Sequence, residues 1–169
     1  MKKLFFALLF AMLLSSCSEG KLDDNLYDGT GGISAEVNGG LVKPPVALLY
    51  SHRTCRFDVE EGGIRTFTVG FTNTINGVGM NVNVKAINIP EGNLSGKTFP
   101  LKTGEGEGSF IFKGNFDDPF LTDDTHKGYL HVSFHNDQLH FITGIFSYDC
   151  VNSEGNVVRI TNGKYDMYY

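Results

Sequence analysis

Ile64-Arg65-Thr66-Phe67-Thr68-Val69-Gly70-Phe71, followed by Asn76-Gly77 and then Met80-Asn81-Val82-Asn83-Val84-Lys85-Ala86, is the stretch that decides the fold. Phe67, Val69 and Phe71 alternate with Thr66, Thr68 and Gly70, and Met80, Val82, Val84 and Ala86 alternate with Asn81, Asn83 and Lys85. A period of two puts each apolar set on one face of a strand, the face that packs into a core. Asn76-Gly77 suits the positive backbone angles of a tight hairpin turn, so the two runs are expected to be paired neighbours.

The same alternation recurs on either side. Strands are expected at Ile33 to Val37, Val46 to Tyr50, Arg56 to Val59, Lys97 to Leu101, Ser109 to Lys113, Gly128 to Phe134, Leu139 to Tyr148 and Val157 to Tyr168, with glycine and asparagine at the turns. Beyond residue 17 no window of ten or more residues carries a helical repeat. About ten short strands make one all-β domain over residues 33–169, an antiparallel β-sandwich or β-barrel. Both architectures close the same alternating pattern around an apolar interior. A barrel can hold a small ligand in its mouth, and a tightly packed sandwich cannot.

The chain upstream of the domain has a different character. Lys2 and Lys3 are followed by an apolar run, Leu4 to Leu14, of eleven residues, whereas a membrane-spanning helix needs about 20. Leu14-Ser15-Ser16-Cys17 looks like a lipobox, so residues 1–16 read as a bacterial lipoprotein signal peptide with cleavage before Cys17 and acylation of its thiol. Several acyl chains, palmitate-like in length, anchor stably at about 0.8 kcal/mol per buried methylene. Residues 17–32 are then the lipidated cysteine and a flexible acidic tether rich in glycine. Loss of Lys2 and Lys3 leaves 12 basic against 19 acidic side chains, a formal charge of −7. That balance argues against nucleic acid as a partner. The expected address is the outer membrane, lipid-anchored, on either the cell-surface or the periplasmic side.

Cys55 and Cys150 remain after the anchor, in a compartment that is oxidising. A disulfide between them closes a loop worth up to about 4 to 5 kcal/mol in the chain-entropy model. Each cysteine also sits where a small buried apolar residue serves equally well.

Ile142-Thr143-Gly144-Ile145-Phe146-Ser147-Tyr148, then Val151 to Asp166 with Glu154-Gly155 at a turn and Val158-Arg159-Ile160-Thr161-Asn162-Gly163-Lys164-Tyr165, resembles the closing hairpin of a family of small Bacteroides-phylum lipoproteins known only as a domain of unknown function. Ile33-Ser34-Ala35-Glu36-Val37-Asn38-Gly39 is similar to the opening strand and turn of that family. The resemblance covers both ends of the domain and implies an all-β lipoprotein. It brings no catalytic residues with it.

Four of the five histidines lie between residues 126 and 140. With Asn136-Asp137 as a two-residue turn, His135 faces Gln138, Ser133 faces His140 and His131 faces Ile142, which puts His131, His135 and His140 on one face as candidate metal ligands. His131 and His135 are then about 13 Å apart, too far for one ion without a bulge. The plainer expectation makes Leu130, Val132, Phe134, Leu139 and Phe141 the core face and the histidines the wet one. Asp117, Asp118, Asp123 and Asp124 form an acidic loop with enough oxygen for calcium but without Asp-x-Asp-x-Asp-Gly spacing. Gly104 to Gly108 carries two glutamates that repel phosphate, and Gly92-Asn93-Leu94-Ser95-Gly96 is not a nucleophile elbow.

No cofactor and no catalytic motif is expected. The leading functional expectation is a non-enzymatic envelope lipoprotein that binds a partner protein at a sheet edge or a small ligand in a barrel mouth. Two alternatives are an inhibitor of a foreign lysozyme or protease, presenting residues 102–109 or 115–127, and a metal-assisted hydrolase built on His131, His135 and His140.

Overall fold

The computed structural model describes residues 31–44, 52–75, 78–112 and 115–169. Cys17, the expected strand at Val46 to Tyr50, and Asn76-Gly77 themselves lie outside the described residues. Within them the chain is all-β: β1 (Gly32–Val37), β2 (Gly40–Val42), β3 (Arg53–Val59), β4 (Arg65–Ile75), β5 (Val78–Ile87), β6 (Thr98–Leu101), β7 (Gly106–Phe112), β8 (Phe120–Leu121), β9 (Gly128–Asn136), β10 (Phe141–Val151) and β11 (Val157–Tyr168). The expected strands that fall on described residues are present, with boundaries shifted by a few residues. The short strands β2 and β8 carry too little alternation to be read in advance.

β4 and β5 pair antiparallel from Thr66↔Ile87 to Ile75↔Val78, the register expected of a two-residue turn at 76–77. Phe67, Val69, Val82, Val84 and Ala86 are fully buried and Phe71 nearly so; burying side chains of this size contributes roughly 1.5 to 3 kcal/mol for each large one.

All eleven strands belong to one antiparallel sheet, ordered β2-β1-β11-β10-β8-β7-β5-β4-β3. The sheet forks at β10. Residues Phe141 to Tyr148 pair with β9, which carries β6, while Val151 pairs with Leu121 of β8. β8 continues the path to β7. The sheet thus curls until β10 and β11 face β4, β5 and β7, and among the described residues it does not close: β2 and β3 end the main path and β6 ends the branch.

Phe67 of β4 meets Tyr165 of β11 with ring centroids 6.1 Å apart. Tyr148 of β10 crosses the interior, its hydroxyl 2.8 Å from the Ser109 carbonyl of β7 and 3.2 Å from the Asn83 carbonyl of β5. Burial holds that phenol well above its usual pKa, so it acts as a fixed donor. The Tyr165 hydroxyl likewise donates to the His131 carbonyl at 3.1 Å. Residues 88–97 then cap one end of the interior. Ile89 N–H donates to the Arg65 carbonyl, Gly96 N–H to the Val132 carbonyl, and Ile89 and Leu94 enter the core.

Cys55 and Cys150 are both free thiols rather than a bridge. Cys55 lies in β3 opposite Val69, and Cys150 lies in β10 with its thiol 3.4 Å from the Val158 carbonyl. Each fills a packing position in its own part of the sheet.

The Tyr148 ring rests on the backbone of Gly108, where an added Cβ would stand 2.7 Å from ring carbons. Gly108→Ala is therefore expected to destabilise the domain by about 1 to 3 kcal/mol through overpacking. Gly79→Ala, on β5 with nothing within 4 Å of the added Cβ, is expected to leave the urea midpoint unchanged. Equal midpoints for the two variants would contradict the contact.

Candidate functional site

The histidine hairpin differs from its expected register, and the difference decides which side chains meet. β9 and β10 close at Asn136↔Phe141, so the loop holds Asp137, Gln138, Leu139 and His140 rather than two residues. The Asn136 side-chain oxygen accepts from the N–H groups of Gln138 and Leu139, and His140 completes the turn at φ +54°. Asn136 thus organises the turn from its first position and does not occupy its centre. A bulge follows: Phe134 pairs with Thr143 and Val132 with Gly144, which leaves Ser133 unpaired. One extra residue reverses the faces beyond it.

His131 therefore points outward, with its Nδ1 2.8 Å from the Thr98 hydroxyl on β6. His135 points inward and is 4 % exposed. His140 stands on the loop with its ring edge-on to Tyr169 at 5.6 Å. The three expected ligands do not share a face. Among the described residues no group of three or more His, Cys, Asp or Glu side chains is arranged to hold a metal ion. The expected core face is also corrected. Leu130 and Val132 are inside, Leu139 is 62 % exposed, and Phe134 and Phe141 stack on the outer face of the sheet.

His135 instead centres a buried polar chain. Its Nδ1 accepts the backbone N–H of Leu94 at 3.1 Å, which places the ring proton on Nε2. Nε2–H donates to the Tyr169 hydroxyl at 2.8 Å, and Tyr169 in turn donates to Asp137 Oδ1 at 3.2 Å. The His135 backbone N–H is taken by Ser95 Oγ at 2.9 Å. Phe57 of β3 packs edge-on against Tyr169 at 4.8 Å and tilted against His135 at 5.9 Å, with the Arg65 guanidinium 5.9 Å above the Phe57 ring. Burial lowers the His135 pKa; Asp137 opposes that shift and Arg65 adds to it. The Tyr169 phenol is pushed up to about 12, first by burial and then by Asp137. A neutral imidazole with both nitrogens bonded and a phenol near 12 neither give nor take a proton readily at neutral pH. The chain fastens the 88–97 segment, β9, β11 and β3 together. Tyr169, Asp137, Leu94 and Phe57 were not legible as its members, because the contacts join positions 32 to 41 residues apart or lie across the fold.

The acidic loop is likewise occupied with structure. Asp118 accepts from Asn152 Nδ2 at 2.9 Å and from Ser153 N–H at 3.0 Å. Asp123 accepts from the Thr125 and His126 N–H groups and from the His126 ring. These bonds hold both carboxyls below the usual aspartate range. Asp117 and Asp124 are exposed. Two of the four acids pin turns and the other two face water, so they do not converge on a cation. Burial pushes the thiols of Cys55 and Cys150 up to about 12, which removes them as nucleophiles near neutral pH.

Among the described residues three strands are paired on one side only, β2, β6 and β3, and β3 is the longest of them at seven residues. His52 accepts from Thr72 N–H, and Glu60 N–H donates to Ile64, which fixes the hydrogen-bonded pairs of the β3–β4 ladder at the even-numbered residues of β3. The N–H and C=O groups of Cys55, Phe57 and Val59 consequently point away from β4. Among the described residues β3 has a strand on one side only.

No family model matches the chain, and neither a curated protein nor a solved structure is found to be similar to it.

His135 gives a pH test. The folded pKa lies below the ordinary value of 6.5, so between the two values the unfolded chain binds the proton that the folded chain refuses. Stability from this site is complete above about 6.5 and falls as the pH drops through that window. Urea titrations from pH 7.5 to 5 are expected to show that loss in the native sequence and a shallower slope in His135→Asn, which keeps an acceptor and cannot titrate. Identical slopes would contradict the buried neutral imidazole.

Proposed function

We propose that this chain is a lipid-anchored, non-enzymatic module of the bacterial cell envelope that binds a partner protein along the open edge of β3. The anchor part rests on Lys2, Lys3, the apolar run to Leu14 and the Leu14-Ser15-Ser16-Cys17 site. One observation carries the binding part: the outward row of backbone groups at Cys55, Phe57 and Val59 on a seven-residue strand that is paired with β4 on one side and has no strand on the other among the described residues. A strand end of this kind is the template for strand addition by an extended segment of another chain. The competing small-ligand reading has less support, because Phe67, Phe146, Tyr148 and Tyr165, each at most 2 % exposed, fill the space between the facing parts of the sheet. Arg56 and Asp58, paired at 2.8 Å on the exposed face of β3, offer charges of both signs to an incoming strand.

A second reading, inhibition of a foreign hydrolase, is favoured by the 115–127 loop. Asp118 and Asp123 brace it, and Phe116 stands 70 % exposed. A braced loop with an exposed aromatic tip suits insertion into an enzyme cleft.

Val59→Pro separates these. Val59 is 69 % exposed and its N–H points away from β4, so proline there removes an outward donor and leaves the β3–β4 ladder intact. With a photo-crosslinking residue at Arg56 on living cells, the native sequence is expected to give one discrete adduct and Val59→Pro at least about tenfold less, the equivalent of about 1.4 kcal/mol of binding, with unchanged melting temperature. An adduct that survives Val59→Pro undiminished, or a smear of abundant proteins, would contradict edge binding.

A further inference from the structure

We propose that the outer face at the Tyr168 end of β9, β10 and β11 is a membrane-resting surface, which seats the domain on the zwitterionic headgroup layer of the membrane that holds its anchor. The inference rests on the lipoprotein reading of Cys17 and goes beyond it, since an anchor alone leaves the domain free to take any orientation.

Three aromatic rings form a row there. Phe134 stacks on Phe141 with centroids 5.6 Å apart, and Tyr168 meets Phe141 edge-on at 6.1 Å. Phe141, between the other two rings, is 6 % exposed, and Tyr168 is 57 % exposed. Leu139 projects from the same hairpin, 62 % exposed. The bulge at Ser133 and the four-residue loop create this face. The register expected from alternation would have put Phe134, Leu139 and Phe141 in the core.

Position puts a membrane within reach of this end. β1 runs antiparallel to β11 with Gly32 opposite Asp166, and the Gly31 N–H donates to the Asp166 carboxylate at 3.2 Å. The chain thus enters the domain at the Tyr168 end of β11. Only residues 18–30 separate Gly31 from Cys17, and a fully extended chain of that length reaches about 45 Å at most. A domain of this size is about 35 to 40 Å across. The tether keeps the entry end within reach of the bilayer.

The chemistry agrees with the place. Tyrosine, phenylalanine and leucine are the side chains that settle at the boundary between headgroups and acyl chains, with the phenol in the wet layer. The formal charge of −7 on the mature chain disfavours an anionic lipid surface, so the attraction is apolar and the lipid zwitterionic.

The chain contains no tryptophan, so a single introduced indole reports its own surroundings. Leu139→Trp tests the surface. Val157→Trp is the control, 45 % exposed and at the far end of β11, about 35 Å from Tyr168 along the strand. Both lipidated full-length variants are reconstituted into phosphatidylcholine vesicles with and without acyl-chain bromine, which quenches an indole on contact, and vesicle flotation is read in parallel. The expected result is flotation of both, a blue shift and bromine quenching for Leu139→Trp, and neither for Val157→Trp. Flotation with no quenching at Leu139→Trp, or equal quenching at both sites, would overturn the membrane-resting surface and leave the anchor standing. A blue shift without quenching would assign the face to a second copy of the chain and overturn it equally. Failure of the protein to float would overturn the anchor reading, and this inference with it.

Discussion

A sheet that curls without closing must leave a row of backbone donors and acceptors on each strand that ends it, and the rest of this structure is arranged around that constraint. Tyr148 holds the curl by carrying a hydroxyl from β10 to the carbonyls of Ser109 and Asn83, on the far side of the interior. Phe67 and Tyr165 fill the space beside it. The 88–97 segment covers one open end, fastened by Leu94 to His135 and by Ser95 to the same residue's backbone. The longest edge these interactions leave open among the described residues is that of β3, where the ladder parity aims the odd-numbered amides outward.

The side chains that invite a chemical reading turn out to serve this architecture. His135 is held neutral by burial and bonded at both nitrogens. Asp118 and Asp123 spend their oxygens on turn amides. Cys55 and Cys150 act as small apolar groups with thiols near 12. Reactive sites keep a titrating group poised near the working pH and aimed at open space. None of these groups is placed in that way.

Much of the fold was legible because alternation is a local signal. Phe67, Val69, Val82 and Val84 declare their face within a few residues, and Ile75↔Val78 follows from the turn between them. The histidine hairpin was not legible, for two physical reasons. Asn136 organises a longer turn from its first position, and His140 takes a positive φ that sequence reading reserves for glycine or asparagine. The unpaired Ser133 then reverses the faces beyond it, and a single bulge leaves no mark on the apolar pattern. The partners of His135 were hidden for a different reason: Leu94, Phe57 and Tyr169 meet it only through the folded topology. Of the candidate site, β3 itself could be read, while its place at the end of the sheet depends on the pairing of all the other strands.

The central claim is that β3 presents an open row of amides, and residue-resolved hydrogen exchange on the isolated native protein tests it most directly. The account predicts alternation along one strand: slow exchange at Thr54, Arg56 and Asp58, whose N–H groups face β4, and fast exchange at Cys55, Phe57 and Val59. Uniformly slow exchange through residues 53–59 would show that the edge is already covered by the chain itself and would contradict the claim.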